Sequence, residues 1–147
     1  MGELMTATHN FGTAPIRASG ATDAFKAALY LASATVDAAT TAYTVSGEVS
    51  GAGYSAGGVA VTMATSPTAT NSSATAGVAF VTPSASITYT TVTLTTAFDA
   101  VLIYNSTQSD KAVSVHTFGS QTITAGTFTL TMPANTTSTA LLRLATT

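Results

Sequence analysis

Cysteine and tryptophan are missing from this chain, and charge is scarce: four Lys or Arg, six Asp or Glu and two His among 147 residues. Without cysteine there is no disulfide framework and no thiolate metal site. The only fixed cations, Arg17, Lys26, Lys111 and Arg143, are too few and too scattered to neutralise a phosphate backbone, so no nucleic-acid partner is expected. Sugar-binding platforms commonly use tryptophan; only Tyr30, Tyr43, Tyr54, Tyr89 and Tyr104 are left for that role. No apolar run approaches the ~20 residues that span a bilayer. The opening MGELMTATHNFG has neither the basic region nor the apolar core of a signal peptide. A soluble chain without a membrane partner is expected.

Motifs for chemistry are lacking too. There is no HExxH, no acidic calcium loop and no GxSxG elbow. His9 and His116 lie far apart, and His116 alternates with Val115 and Thr117 as a structural strand residue would. Asp23, Asp37, Asp99 and Asp110 fall in turns or at strand edges without a mate at a visible spacing, whereas paired-carboxylate hydrolysis needs two facing one cleft. No catalytic residue, metal or cofactor is expected. The sequons at Asn71, Asn105 and Asn135 carry little weight in so Ser/Thr-rich a chain.

What the chain does have is threonine, about one residue in five. Only 7% of residues are charged, against about 25% in ordinary domains. Such a surface lacks the hydrated Lys and Glu that keep monomers apart. It suits a chain that covers its faces with a partner or with copies of itself.

Residues 1–23, with Gly2, Gly12, Pro15 and Gly20, read as an extended N-terminal arm preceding one domain over 24–147. AFKAALYLAS then reads as a strand with Phe25, Ala27, Leu29 and Leu31 on one face and Lys26, Ala28 and Tyr30 on the other. A short helix is the competing reading, since Ala and Leu favour helices, and the Thr-rich flanks favour the strand. Residues 34–46 form a connection, GVAVTMA (58–64) alternates as a strand, and the polar stretch 66–77 reads as a loop. VAFVT (78–82) is a short strand ended by Pro83. In 86–96 the inward set Ile87, Tyr89, Val92 and Leu94 changes phase, which a β-bulge at Thr90–Thr91 would produce. FDAVLIYN is apolar on both faces, with Phe98, Leu102 and Tyr104 opposing Val101 and Ile103; it predicts the central strand. STQSD turns it into the hairpin partner 111–118. In 121–133, Phe128, Leu130 and Met132 point inward, with Gly126 as a kink; in 138–145, Leu142 and Leu144 point inward and Arg143 away. The sum is an all-β, antiparallel, jelly-roll-like β-sandwich of about eight strands.

GEVSGAGYSAGG (47–58) is the stretch around which the rest is arranged. It has neither the Lys-Ser/Thr nor the following helix of a phosphate loop. Gly51, Gly53, Gly57 and Gly58 predict a bulge or turn with positive φ, and Tyr54 is expected to lay its ring over it and reach outward with its hydroxyl. This turn is the candidate contact loop.

Three ordered pieces, FKAALYLASATVDAATTAYTVSGEVSGAGYSAGG, FDAVLIYNSTQSDKAVSVHTFG and TITAGTFTLTMPANTTSTALLRL, resemble a family of small virion structural proteins of tailed bacteriophages, over about four fifths of the chain. The resemblance implies a non-enzymatic component of the particle, assembled in the bacterial host cytoplasm. Within it, a capsid decoration or cement protein bound to the major capsid protein in many copies is expected, as a homo-oligomer, trimer or dimer. A tail, collar or spike-base adaptor meeting tail or fibre proteins is the alternative, and a host-glycan module using Tyr54 is a further one.

Overall fold

The chain is built from antiparallel strands, and the computed structural model describes residues 23–63, 68–72 and 75–145. Seven strands are described: β1 Phe25–Leu31, β2 Val59–Val61, β3 Thr68–Ser72, β4 Thr75–Val81, β5 Ile87–Asn105, β6 Lys111–Leu130 and β7 Leu142–Ala145. They form a four-stranded sheet, β2-β1-β5-β6, and a three-stranded sheet, β3-β4-β7. No helix is present among the described residues. The arm expected over 1–23 lies, apart from Asp23, outside them.

The two-residue alternation of strand side chains decides which of two cores each one enters. In β1, Phe25, Ala27 and Leu29 enter the main core with Ile87, Tyr89, Val92 and Leu94 of β5, and Val81 and Leu142 join from the second sheet. The opposite face of β1 and β5 carries Ala28, Tyr30, Ala100, Leu102 and Tyr104, a second core roofed by Ala34, Val36 and Tyr43 of the connection. Both predicted faces of β1 are therefore right. β5 is buried on both sides over Ala100–Asn105, as expected of the central strand, but its second cover is a connecting segment rather than a sheet.

Several expectations are corrected. The stretches 86–96 and 98–105 are one 19-residue strand, and 111–118 and 121–133 largely merge into one of 20. The predicted phase slip is present: the β5–β6 register shifts between Tyr89 and Val92, with Thr91 at φ 54°. Among the further irregularities of this pairing, the one between Phe98 and Ala100 moves Phe98 to the face of Val101 and Ile103, where it meets Phe118 and Phe128 edge-on. Leu144 is 45% exposed while Leu142 is buried, so one of the two expected inward residues of β7 faces out. The supposed loop 66–77 contains β3 and the start of β4, a hairpin whose Ala/Thr/Ser sequence has no apolar face to announce it.

The β5–β6 turn is built by Asn105, which is fully buried. Its side-chain oxygen accepts the Thr107 and Gln108 N–H groups, both at 3.1 Å, and its amide nitrogen donates to Asp23 Oδ2 at 2.7 Å. An Asx-type turn of this kind fixes where the chain reverses. It also closes the sequon at Asn105 to modification in the folded chain.

Candidate functional site

Strand β1 has β5 on one side, and the Gly-rich segment serves the other. The Leu31 N–H donates to Gly47 O (2.9 Å) and the Val49 N–H to Leu29 O (3.0 Å), so 47–49 pairs with the end of β1. At its start, Phe25–Ala27 pairs with β2. Residues 50–57 are thus a detour in an otherwise continuous edge. The detour bridges to β5 instead, where the Thr93 N–H donates to Ala52 O at 2.9 Å.

Tyr54 fills the gap that the detour leaves. The Leu29 N–H donates to its hydroxyl oxygen at 3.0 Å, and that hydroxyl donates to Glu48 Oε1 at 2.7 Å. The expectation that Tyr54 reaches outward is therefore corrected: its ring stacks on Tyr89 and its hydroxyl points in. A buried backbone N–H needs a partner, and the detour has removed the ordinary one.

Glu48, 8% exposed, is the centre of the arrangement. Its Oε1 also accepts the Gly57 N–H at 2.8 Å, and its Oε2 accepts the Tyr43 hydroxyl at 2.7 Å. Tyr43 stacks on Tyr104 at 4.7 Å, and the Tyr104 hydroxyl donates to Gly57 O at 2.8 Å. The Tyr89 hydroxyl donates to Ala27 O at 2.8 Å and that of Tyr30 to Thr44 O at 2.6 Å. All five tyrosines of the chain tie the detour, the connection and β1 together. A buried carboxylate is tolerable only when its lone pairs are taken by donors, as here.

Of the singled-out turn residues, Gly53, Gly57 and Gly58 have positive φ, as does Gly47; Gly51 does not. Gly51 is required by proximity, because a Cβ there would lie 2.0 Å from Thr93 O. The sequence reading found the turn but missed Glu48, Tyr43 and Tyr104 as its partners. Tyrosines at irregular spacing near a lone Glu were the available signal.

Burial raises the hydroxyl pKa of Tyr54 and Tyr89, and the Glu48 charge pushes both in the same direction. Tyr43 is raised by desolvation and by its bond to Glu48, Tyr30 mainly by burial, and Tyr104 by burial and the Asp110 charge, to about 12. Tyrosine ionises near 10 when unfolded. Folded values above that give stability that is complete below pH 10 and is lost as pH rises toward the folded values. In an alkaline titration, tyrosinate absorbance is expected to stay low past pH 10 and rise together with loss of circular dichroism. A gradual rise centred near pH 10 with the fold intact would contradict the burial of these hydroxyls.

The arrangement anchors the detour to β1 and to the connection. Both Glu48 oxygens are committed to donors, and no group of three or more His, Cys, Asp or Glu able to hold a metal occurs among the described residues. His116 stands apart from it, half-buried on β6 with a ring nitrogen 3.0 Å from Ser114 Oγ; burial lowers its pKa and favours the neutral ring. Asp37 caps its own turn through the Ala39 N–H at 2.8 Å. No family model, curated protein or solved structure matches the chain.

Proposed function

We propose that this chain is a non-enzymatic structural protein of a tailed-bacteriophage virion, a decoration protein that binds the outer shell in many copies as a homo-oligomer. The body is a jelly-roll-like sandwich and residues 1–23 are its arm. The sequence resemblance over 25–144 supports the particle. The observation that supports assembly is β6. Among the described strands it is an outermost one of its sheet, 20 residues long, without proline and with Lys111 as its single fixed charge. Monomeric proteins usually blunt such an edge with charge, proline or a short strand. Here much of it is lined by exposed Thr, Ser and Gln, a surface suited to repeated, individually weak contacts that gain strength by multivalency.

Copy number per particle tests the reading, by quantitative mass spectrometry of purified virions against the major capsid protein. Near-stoichiometric amounts are expected. A handful of copies would move the protein to the tail, collar or spike base, and absence from particles would overturn the virion reading and favour the glycan-binding alternative.

A further inference from the structure

A groove of about 640 Å³ runs along β6, and its lining shows that it opens on the strand's edge rather than on a face. Consecutive residues from Ala112 to Thr117 line it, although Val113 belongs to the main core and Val115 packs against the second. Val36 and Asp37 of the connection form one wall; Leu141, Leu142 and Arg143 form the other. Between two walls lies a stretch, Ser114–Thr117, that pairs with β5 in unbroken register and with no other described strand. A strand edge that no described strand pairs, at the bottom of a walled slot, has the geometry of β-augmentation: main-chain bonds supply affinity and the walls read alternate side chains.

We infer that this groove receives the N-terminal segment Leu4–Phe11 of a second copy of this chain, added as an antiparallel strand beside β6. Three observations select that occupant. Leu4–Phe11 is a run of eight residues without Gly or Pro. Its odd positions, Met5, Ala7, His9 and Phe11, are mostly apolar and its even ones, Leu4, Thr6, Thr8 and Asn10, mostly polar, so one set faces the Leu141–Leu142 wall and the other the wall holding Asp37. Glu3, the one carboxylate ahead of Asp23, is opposite in sign to Arg143, the one fixed cation of the groove. The third is where the arm starts. Asp23 is held at the β5–β6 turn by Asn105 and Gln108, and at that corner Thr41–Tyr43 already occupies the edge of β6. There the Ala112 N–H donates to Thr41 O and the Tyr43 N–H to Asp110 O.

A chain's own arm would have to climb over that segment and reverse. The eleven residues from Gly12 to Thr22 can span up to about 36 Å when extended, a length that allows the arm to leave its own body for an adjacent copy. The inference builds on the self-association proposed above and names its contact. A reciprocal exchange would satisfy two β6 edges at once.

The absence of cysteine makes the test direct. Full-length Ala7→Cys and Ser114→Cys chains, one carrying a mass tag, are mixed at high protein concentration and oxidised. A disulfide-linked heterodimer in excess of that formed when Val45→Cys replaces Ser114→Cys is expected; Val45 is exposed and outside the groove. Heterodimer yield no greater than that control would overturn the inference. So would a chain carrying both substitutions that, on oxidation at high dilution, closes quantitatively into an intramolecular disulfide, which would assign the groove to the chain's own arm. The cross-link is read on purified protein and the copy number on particles, so failure of either is recognisable separately.

Discussion

Glu48→Ala is expected to lose about 3–5 kcal/mol of folding stability, because three donors directed at one buried carboxylate are orphaned together. Hydrogen bonds to a charged acceptor contribute about 1.5–3 kcal/mol each, and the three share partners, so their sum is less than additive. Tyr43 and Tyr54 would lose the acceptor that fixes their hydroxyls, and the Gly57 N–H would be left in a buried position. Against a typical total of about 5–15 kcal/mol, this is a large fraction. Urea unfolding measures it, as a lowered midpoint with unchanged slope. Glu48→Gln should be milder, about 1–2 kcal/mol: the amide oxygen keeps the Gly57 N–H and the Tyr54 hydroxyl, and the Tyr43 hydroxyl can rotate to accept from the amide nitrogen. Equal losses in the two variants would mean that charge, rather than the acceptor geometry, holds the detour. A loss below about 1 kcal/mol in Glu48→Ala would remove the carboxylate from the account of stability.

Gly58→Ala is expected to be at least as damaging, by a different route. Gly58 returns the chain from the detour to β2 at φ +72°, and a Cβ there would sit 1.6 Å from Ala27 O and 2.4 Å from Ala27 C. Those atoms belong to the centre of β1, fully buried between two cores, and have no room to retreat. Positive φ alone costs an L-residue of the order of 1–2 kcal/mol, and the overlap adds displacement of a packed strand, so a loss beyond about 3 kcal/mol is expected. Gly119→Ala in β6 is the contrast. A Cβ there meets nothing within 4 Å, and its effect should stay within about 0.5 kcal/mol. Thermal unfolding of the pair decides the matter; similar midpoints for both would mean that the return from the detour is not confined as described.

These two residues show how unevenly the structure could be read in advance. The turn at Gly47–Gly58 was legible because glycines cluster there, and positive φ is what they permit. Glu48 was not, since its partners at Tyr43, Tyr54 and Gly57 lie five, six and nine residues away along an irregular path. No period marks such a set. The bulge at Thr90–Thr91 was legible because it shifts an otherwise regular inward set by one residue. The one beside Phe98 was not, because FDAVLIYN is apolar on both faces and a change of phase leaves no trace in hydropathy.

By itself the sequence determined the antiparallel all-β class, both faces of β1, the doubly buried β5 and the hairpin reversal after Asn105. Each depends on local alternation or turn chemistry, which acts over a few residues and is written in order along the chain. Only the tertiary structure decided that β3 exists, that a connecting segment rather than a sheet covers the second face of β5, and that the five tyrosines converge around Glu48. These depend on what meets across space: an Ala/Thr strand has no face of its own until a neighbour pairs with it, and a buried carboxylate is stable only where the fold delivers its donors.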